Sequence, residues 1–126
     1  MEGMKKLRFL LTIGFMSVAL YHLYQAFFPA IPNHDIGKRH LALLLMNMAG
    51  AGLLLVDRPK LLLLLLPLMI HQIYENSTQL IISWKQFQVI HWPSVIVLIG
   101  MQLLAFYIVK RNKQDELSTE NYTDRS

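Results

Sequence analysis

From Phe9 to Phe28 the chain carries no charged side chain, and Lys5, Lys6 and Arg8 stand just before the run. About 20 residues rising about 1.5 Å each cross the ~30 Å hydrocarbon core of a bilayer, so this stretch reads as a membrane span. Only Thr12, Ser17, His22 and Gln25 within it are clearly polar. Three further apolar runs follow. Residues 41–56 contain one strongly polar side chain, Asn47, and are long enough if His40 and Arg58 snorkel to the interfaces. Residues 60–76 open with Leu61 to Leu66, pass through Pro67, and turn polar at His71, Gln72, Glu75 and Asn76, so a re-entrant segment is open beside a full crossing. Residues 89–109 carry Trp92 and Tyr107 near their ends and stop at Lys110, Arg111 and Lys113, a span with interfacial aromatics.

Composition agrees: 54% hydrophobic against 16% charged residues is too apolar for a soluble domain of 126 residues. The chain lacks Cys, which excludes disulfides, thiolate metal sites and Cys nucleophiles. Its cations cluster at the ends of apolar runs and form no basic face interleaved with aromatics, so nucleic acid is not expected as a partner. The expected fold is all-α, an integral-membrane four-helix bundle over residues 1–111 with spans near 9–28, 41–56, 60–76 and 89–109. Residues 112–126, with Asp115, Glu116, Glu120 and Asp124, read as a flexible, disordered polar tail on the cytoplasmic side.

If all four runs cross, the side holding the N-terminus has Lys5, Lys6, Arg8, Arg58, Lys60, Lys110, Arg111 and Lys113, against Lys38, Arg39 and Lys85 opposite. The positive-inside rule then places both termini in the cytoplasm of a multi-pass plasma-membrane protein. A competing reading takes Lys5 to Arg8, a short apolar core and Ser17-Val18-Ala19 as a cleaved signal peptide, although the apolar run continues well past Ala19. Pro29-Ala30-Ile31-Pro32-Asn33 reads as an outer loop, because each Pro removes a donor and biases the preceding residue to extended geometry. Asp57-Arg58-Pro59-Lys60 reads as a tight inner turn with Pro59 in the first turn of the next helix. Residues 80–92 read as an outer interfacial stretch.

Polar side chains inside spans must find partners or a wet cavity. His22, Asn47 and His71 fall at similar depth in this topology, which suggests a shared pocket in the outer half. On the third run His71 and Glu75 are four apart with Tyr74 beside them, and on the first Tyr21, His22 and Gln25 share the polar end. The candidate ligand-binding residues are therefore Tyr21, His22, Gln25, Asn47, His71, Tyr74 and Glu75. Three readings stay open: ordinary interhelical hydrogen bonds among His22, Asn47, His71, Glu75 and Gln102; a pocket for a small ligand such as a quinone head group; and a haem or metal site with His22 and His71 as ligands and Glu75 as a third or supporting group. No metal-binding spacing, phosphate loop, nucleophile elbow or paired carboxylate site accompanies them, so no catalytic residue is assigned.

Pro67 predicts a kink, and Ala49-Gly50-Ala51-Gly52 predicts close helix approach. Asn76-Ser77-Thr78 and Asn121-Tyr122-Thr123 match the N-glycosylation pattern, with only the first on the outer side. Four short helices, the Ala49-Gly50-Ala51-Gly52 stretch, the Arg58-Pro59-Lys60 turn, the leucine run and His71-Gln72 together resemble the DoxX-like family of small membrane proteins, most closely over residues 50–72. The resemblance implies a compact four-helix membrane bundle. Its varied members resemble small subunits of quinone-linked complexes, companions of redox proteins, or assembly helpers of membrane receptors. None of their functional residues maps onto this chain. The leading functional expectation is a non-enzymatic accessory or interaction subunit that contacts another membrane protein, or itself, within the lipid bilayer. The alternatives are a redox-associated quinone- or haem-binding subunit and a proton- or metal-coupled transport component.

Overall fold

The computed structural model describes residues 2–28 and 34–124, all of whose regular structure is helical. Its elements are α1 (Glu2–Phe27), α2 (His34–Val56), a single turn α3 (Pro59–Leu62), α4 (Leu65–Phe87) and α5 (Trp92–Asp124). They form two compact units, Met1–Asp57 and Arg58–Ser126. The expected loop Pro29 to Asn33 lies outside the described residues.

In the first unit α1 and α2 pair as an antiparallel hairpin. Leu11, Phe15, Ala19 and His22 are buried along α1, and Leu43, Asn47, Ala51 and Leu54 along α2. Both series follow the three- and four-residue spacing of one helix face. The outward faces are equally apolar: Phe9, Leu10, Leu20, Leu45 and Leu55 are exposed. An apolar outside around an apolar contact stripe suits hydrocarbon as the surrounding medium. Asn47 is buried and donates its Nδ2 to the Leu43 carbonyl at 2.7 Å, so its amide is satisfied on its own helix. At the end of α2, Asp57 adopts a left-handed φ of 54° while its amide still bonds the Leu53 carbonyl. Its carboxylate accepts a hydrogen bond from Arg8 Nη1 at 2.9 Å, an ion pair that closes the hairpin at the end holding the N-terminus.

The second unit begins with Pro59 in the first turn of α3, where its missing amide costs nothing, as the sequence predicts. The helix then breaks at Leu63–Leu64 and restarts at Leu65. Pro67 explains the position: it has no N–H for the Leu63 carbonyl four residues earlier, and its ring crowds that oxygen. The Leu63 carbonyl accepts instead from Leu66 N at 3.1 Å, and Leu64 N bonds Leu61 O at 3.0 Å, so the break is bridged by tight three-residue bonds. The expected kink is thus a full interruption one turn upstream of the proline.

Two boundaries differ from the sequence reading. The helix of the third segment runs past residue 76 to Phe87, so residues 80–87 of the expected interfacial stretch are helical and continuous with it. Beyond Pro67 no Gly or Pro occurs until Pro93, and Asn76 Nδ2 bonds the Gln72 carbonyl at 2.7 Å within the helix. The polar segment 76–79 therefore does not interrupt the backbone ladder. Residues 112–124, expected as a tail without structure, continue α5. They contain no Gly or Pro, extend a helix already nucleated by the apolar run, and add Thr119 Oγ1 to Asp115 O and Thr123 Oγ1 to Thr119 O, both at 3.0 Å. Asn112 donates to Pro59 O at 3.1 Å and Ile108 O at 3.0 Å, tying α5 to the start of α3.

Three helices are long and apolar enough to cross a membrane: Glu2–Phe27, Gly37–Val56 and Trp92–Asp124. With 23 residues α4 has the length. The polar series His71, Gln72, Glu75, Asn76, Ser77, Thr78 and Gln79 keeps it out of that group.

Candidate functional site

A second polar constellation of the first unit lies at the hairpin end opposite Arg8–Asp57. His22 from α1 and His40 from α2 place their Nδ1 atoms 2.9 Å apart, with ring centroids 5.2 Å apart. Two imidazole nitrogens at that distance share one proton, so in the neutral pair one ring donates Nδ1–H and the other accepts with its own proton on Nε2. A proton on both Nδ1 atoms would abolish the bond. Tyr21 stands edge-on to both rings, at 5.3 Å from His22 and 6.5 Å from His40. His22 is buried, His40 is half-buried and Tyr21 is exposed, so the pair is accessible from one side.

The local sequence explains this arrangement. His22 follows Leu11, Phe15 and Ala19 on the buried stripe of α1, and His40 precedes Leu43 and Asn47 on that of α2. Each histidine is the outermost member of its stripe, so hairpin pairing brings them face to face. Close backbone approach at this end is consistent with Gly37, where an added Cβ would lie 3.9 Å from the Ala26 carbonyl.

In the second unit His71 Nε2 is 3.9 Å from Glu75 Oε1 one turn on, an ion pair only when the imidazole is protonated. Gln72 is buried. Its Oε1 accepts from Asn76 Nδ2 at 3.2 Å, whereas its Nε2 and the Nδ1 of His71 have no hydrogen-bond partner among the described residues. A buried amide nitrogen without an acceptor costs about 1–3 kcal/mol, and a carbonyl or carboxylate oxygen would relieve it.

Of the seven candidate residues, Tyr21 and His22 are brought together, with His40 as their partner. Gln25 is half-buried on the next turn of α1, and Asn47 is occupied by its own helix. His71 and Glu75 share a face of α4, while Tyr74 turns outward. His40 was missed as a site residue because it stands at the edge of an apolar run, where a histidine reads as a flank. Its signal was the three- and four-residue spacing to Leu43 and Asn47. No group of three or more His, Asp or Glu side chains suited to a metal ion occurs among the described residues. Comparison with known protein families, characterised proteins and solved structures returned no match.

Proposed function

We propose that this chain is a small integral membrane protein that acts as an accessory subunit, packing a helix face against another membrane protein or a second copy of itself. The observation that carries this reading is the outward side of α2. Ala42, Ala49 and Gly52 recur there at helical spacing and are exposed, and a Cβ at Gly52 would meet nothing within 4 Å. Small residues on a lipid-facing surface let a second backbone approach closely, the usual basis of helix association where hydrophobicity supplies no driving force. The three apolar helices have only 22%, 33% and 28% of their most hydrophobic windows buried inside the chain, which leaves ample surface for such contact. A four-crossing plasma-membrane bundle with both termini cytoplasmic, and kinship with the DoxX-like proteins, belong to the same proposal.

The test is crosslinking in native membranes followed by purification. A specific adduct, lost on Gly52→Leu while monomer yield is unchanged, is the expected result; monomer alone, with no adduct under any condition, removes the proposal.

A second reading, a redox-associated subunit holding a quinone or haem, is supported by the His22–His40 pair. An imidazole N–H in an apolar setting suits a carbonyl oxygen of a quinone head group. An absorption spectrum and extract of the detergent-purified protein check it: stoichiometric chromophore favours this reading, and a blank with no binding of quinone analogues ends it.

A further inference from the structure

Between Lys60 and Lys110 the sequence contains one Lys or Arg, Lys85. It occupies the last turn of α4. Just beyond it Gln88 takes a left-handed φ of 55°, its amide bonded to the Trp84 carbonyl at 3.0 Å, and the chain reverses into α5. The reversal carries Ile90 back beside α4. Leu80, Ile81, Trp84, Lys85 and Ile90 consequently line an open groove at the tip of the α4–α5 hairpin. Ile81, Trp84 and Ile90 are exposed, and Phe87 and Trp92 flank them, also exposed.

This is a surface with two chemistries. The groove is lined by apolar atoms and accepts a hydrocarbon chain, and Lys85 contributes its alkyl stem to that lining, with its charged end outside it. Trp at such a position belongs to the headgroup level of a bilayer, and a lysine with an apolar stem beside it reaches the phosphate plane. The carbonyl ends of α4 repel an anion, so attraction falls to the Lys85 ammonium.

We infer that this groove is a binding site for one anionic phospholipid of the surrounding bilayer, its acyl chain against Ile81, Trp84 and Ile90 and its phosphate on Lys85. The inference rests on the membrane reading of the three apolar helices. It goes beyond that reading by naming a lipid class, a place and a charge-bearing residue.

Trp84 and Trp92 are the only tryptophans in the chain, which permits a direct assay. Full-length protein carrying Trp92→Phe, with Trp84 as sole reporter, is reconstituted in phosphatidylcholine vesicles containing brominated phosphatidylglycerol or, in parallel, brominated phosphatidylcholine. Co-flotation with the vesicles confirms insertion independently. The expected result is that the anionic lipid quenches Trp84 with about fivefold higher apparent affinity, the factor that one lysine contributes near an anionic surface. Lys85→Gln abolishes the preference and Lys85→Arg retains it. Equal quenching by both lipids, or a preference that survives Lys85→Gln, overturns the inference. Protein that co-floats without any quenching of Trp84 overturns the groove alone, whereas protein that fails to float overturns the membrane reading and the inference with it.

Discussion

The His22–His40 contact joins two groups each of which is costly to leave unpaired in an apolar environment. Removing either partner leaves the other imidazole without its acceptor or donor, while removing both leaves apolar packing. His22→Leu and His40→Leu are each expected to destabilise by about 1 kcal/mol, and the double variant by less than their sum. The coupling energy should lie near about 0.6 and not exceed about 1.7 kcal/mol, the average and the maximum for hydrogen bonds between membrane helices. Detergent-mediated unfolding of the four proteins checks this, and strict additivity would remove the hydrogen bond as an energetic contact. His22 was legible in the sequence as a group that needs a partner. Its partner was not: pairing depends on hairpin register, and depth alone groups His22 with Asn47 and His71. Asp57 poses the same problem at the other end, since a turn was readable there but neither its left-handed backbone nor its link to Arg8, 49 positions away, has a local signal. Asp57→Asn keeps a side chain that tolerates φ near 54° and loses the charge; Asp57→Ala loses both. The alanine variant should therefore be less stable than the asparagine variant by about 1 kcal/mol in the same unfolding assay. Equal stability would show that the backbone conformation contributes nothing.

At the scale of the element, helix existence was readable and helix ends were not. The apolar runs gave α1, α2 and the membrane-length part of α5, because hydrocarbon forces backbone groups to bond within the segment. The ends of α4 and α5 follow from a different cause: a helix once formed propagates through polar residues that have adequate propensity and no Gly or Pro, at little cost per residue. Composition changes at residues 76 and 112, which is where the sequence signal ends, while the hydrogen-bond ladder does not. The break before α4 is the reverse case, a strong local signal whose effect lands on Leu63 and Leu64, one turn from its source. Pro67→Ala restores an N–H to the Leu63 carbonyl and should merge α3 and α4 into one helix from Pro59 to Phe87. The measurement is amide hydrogen exchange in detergent. Residues 64–66 should become markedly better protected, and unchanged exchange would show that the leucine run, rather than the proline, sets the break.

For the molecule as a whole, the two hairpin clasps belong to the first unit alone. By helix rise His22 lies about 21 Å from Arg8 along α1, and His40 about 25 Å from Asp57 along α2. The polar contacts therefore bracket most of an apolar helix pair. Between them the buried side chains of the two helices are Leu11, Phe15, Ala19, Leu43, Asn47, Ala51 and Leu54. In a bilayer each helix is already hydrogen-bonded when inserted, so association requires only packing and a few polar links. A unit that contains both should form without the rest of the chain. Residues 1–57 expressed alone in membranes are thus expected to adopt the same hairpin. The chain has no native Cys, and Gly37 lies against the Ala26 carbonyl, so paired Ala26→Cys and Gly37→Cys report the pairing and leave both clasps intact. A short bifunctional thiol reagent should link the two cysteines as efficiently in the fragment as in the full chain. Adding Asp57→Ala should lower that efficiency, because it removes one of the two clasps. If only the full chain crosslinks, the first unit owes its pairing to residues after Asp57, and the Arg8–Asp57 and His22–His40 contacts are consequences of the hairpin instead of its cause.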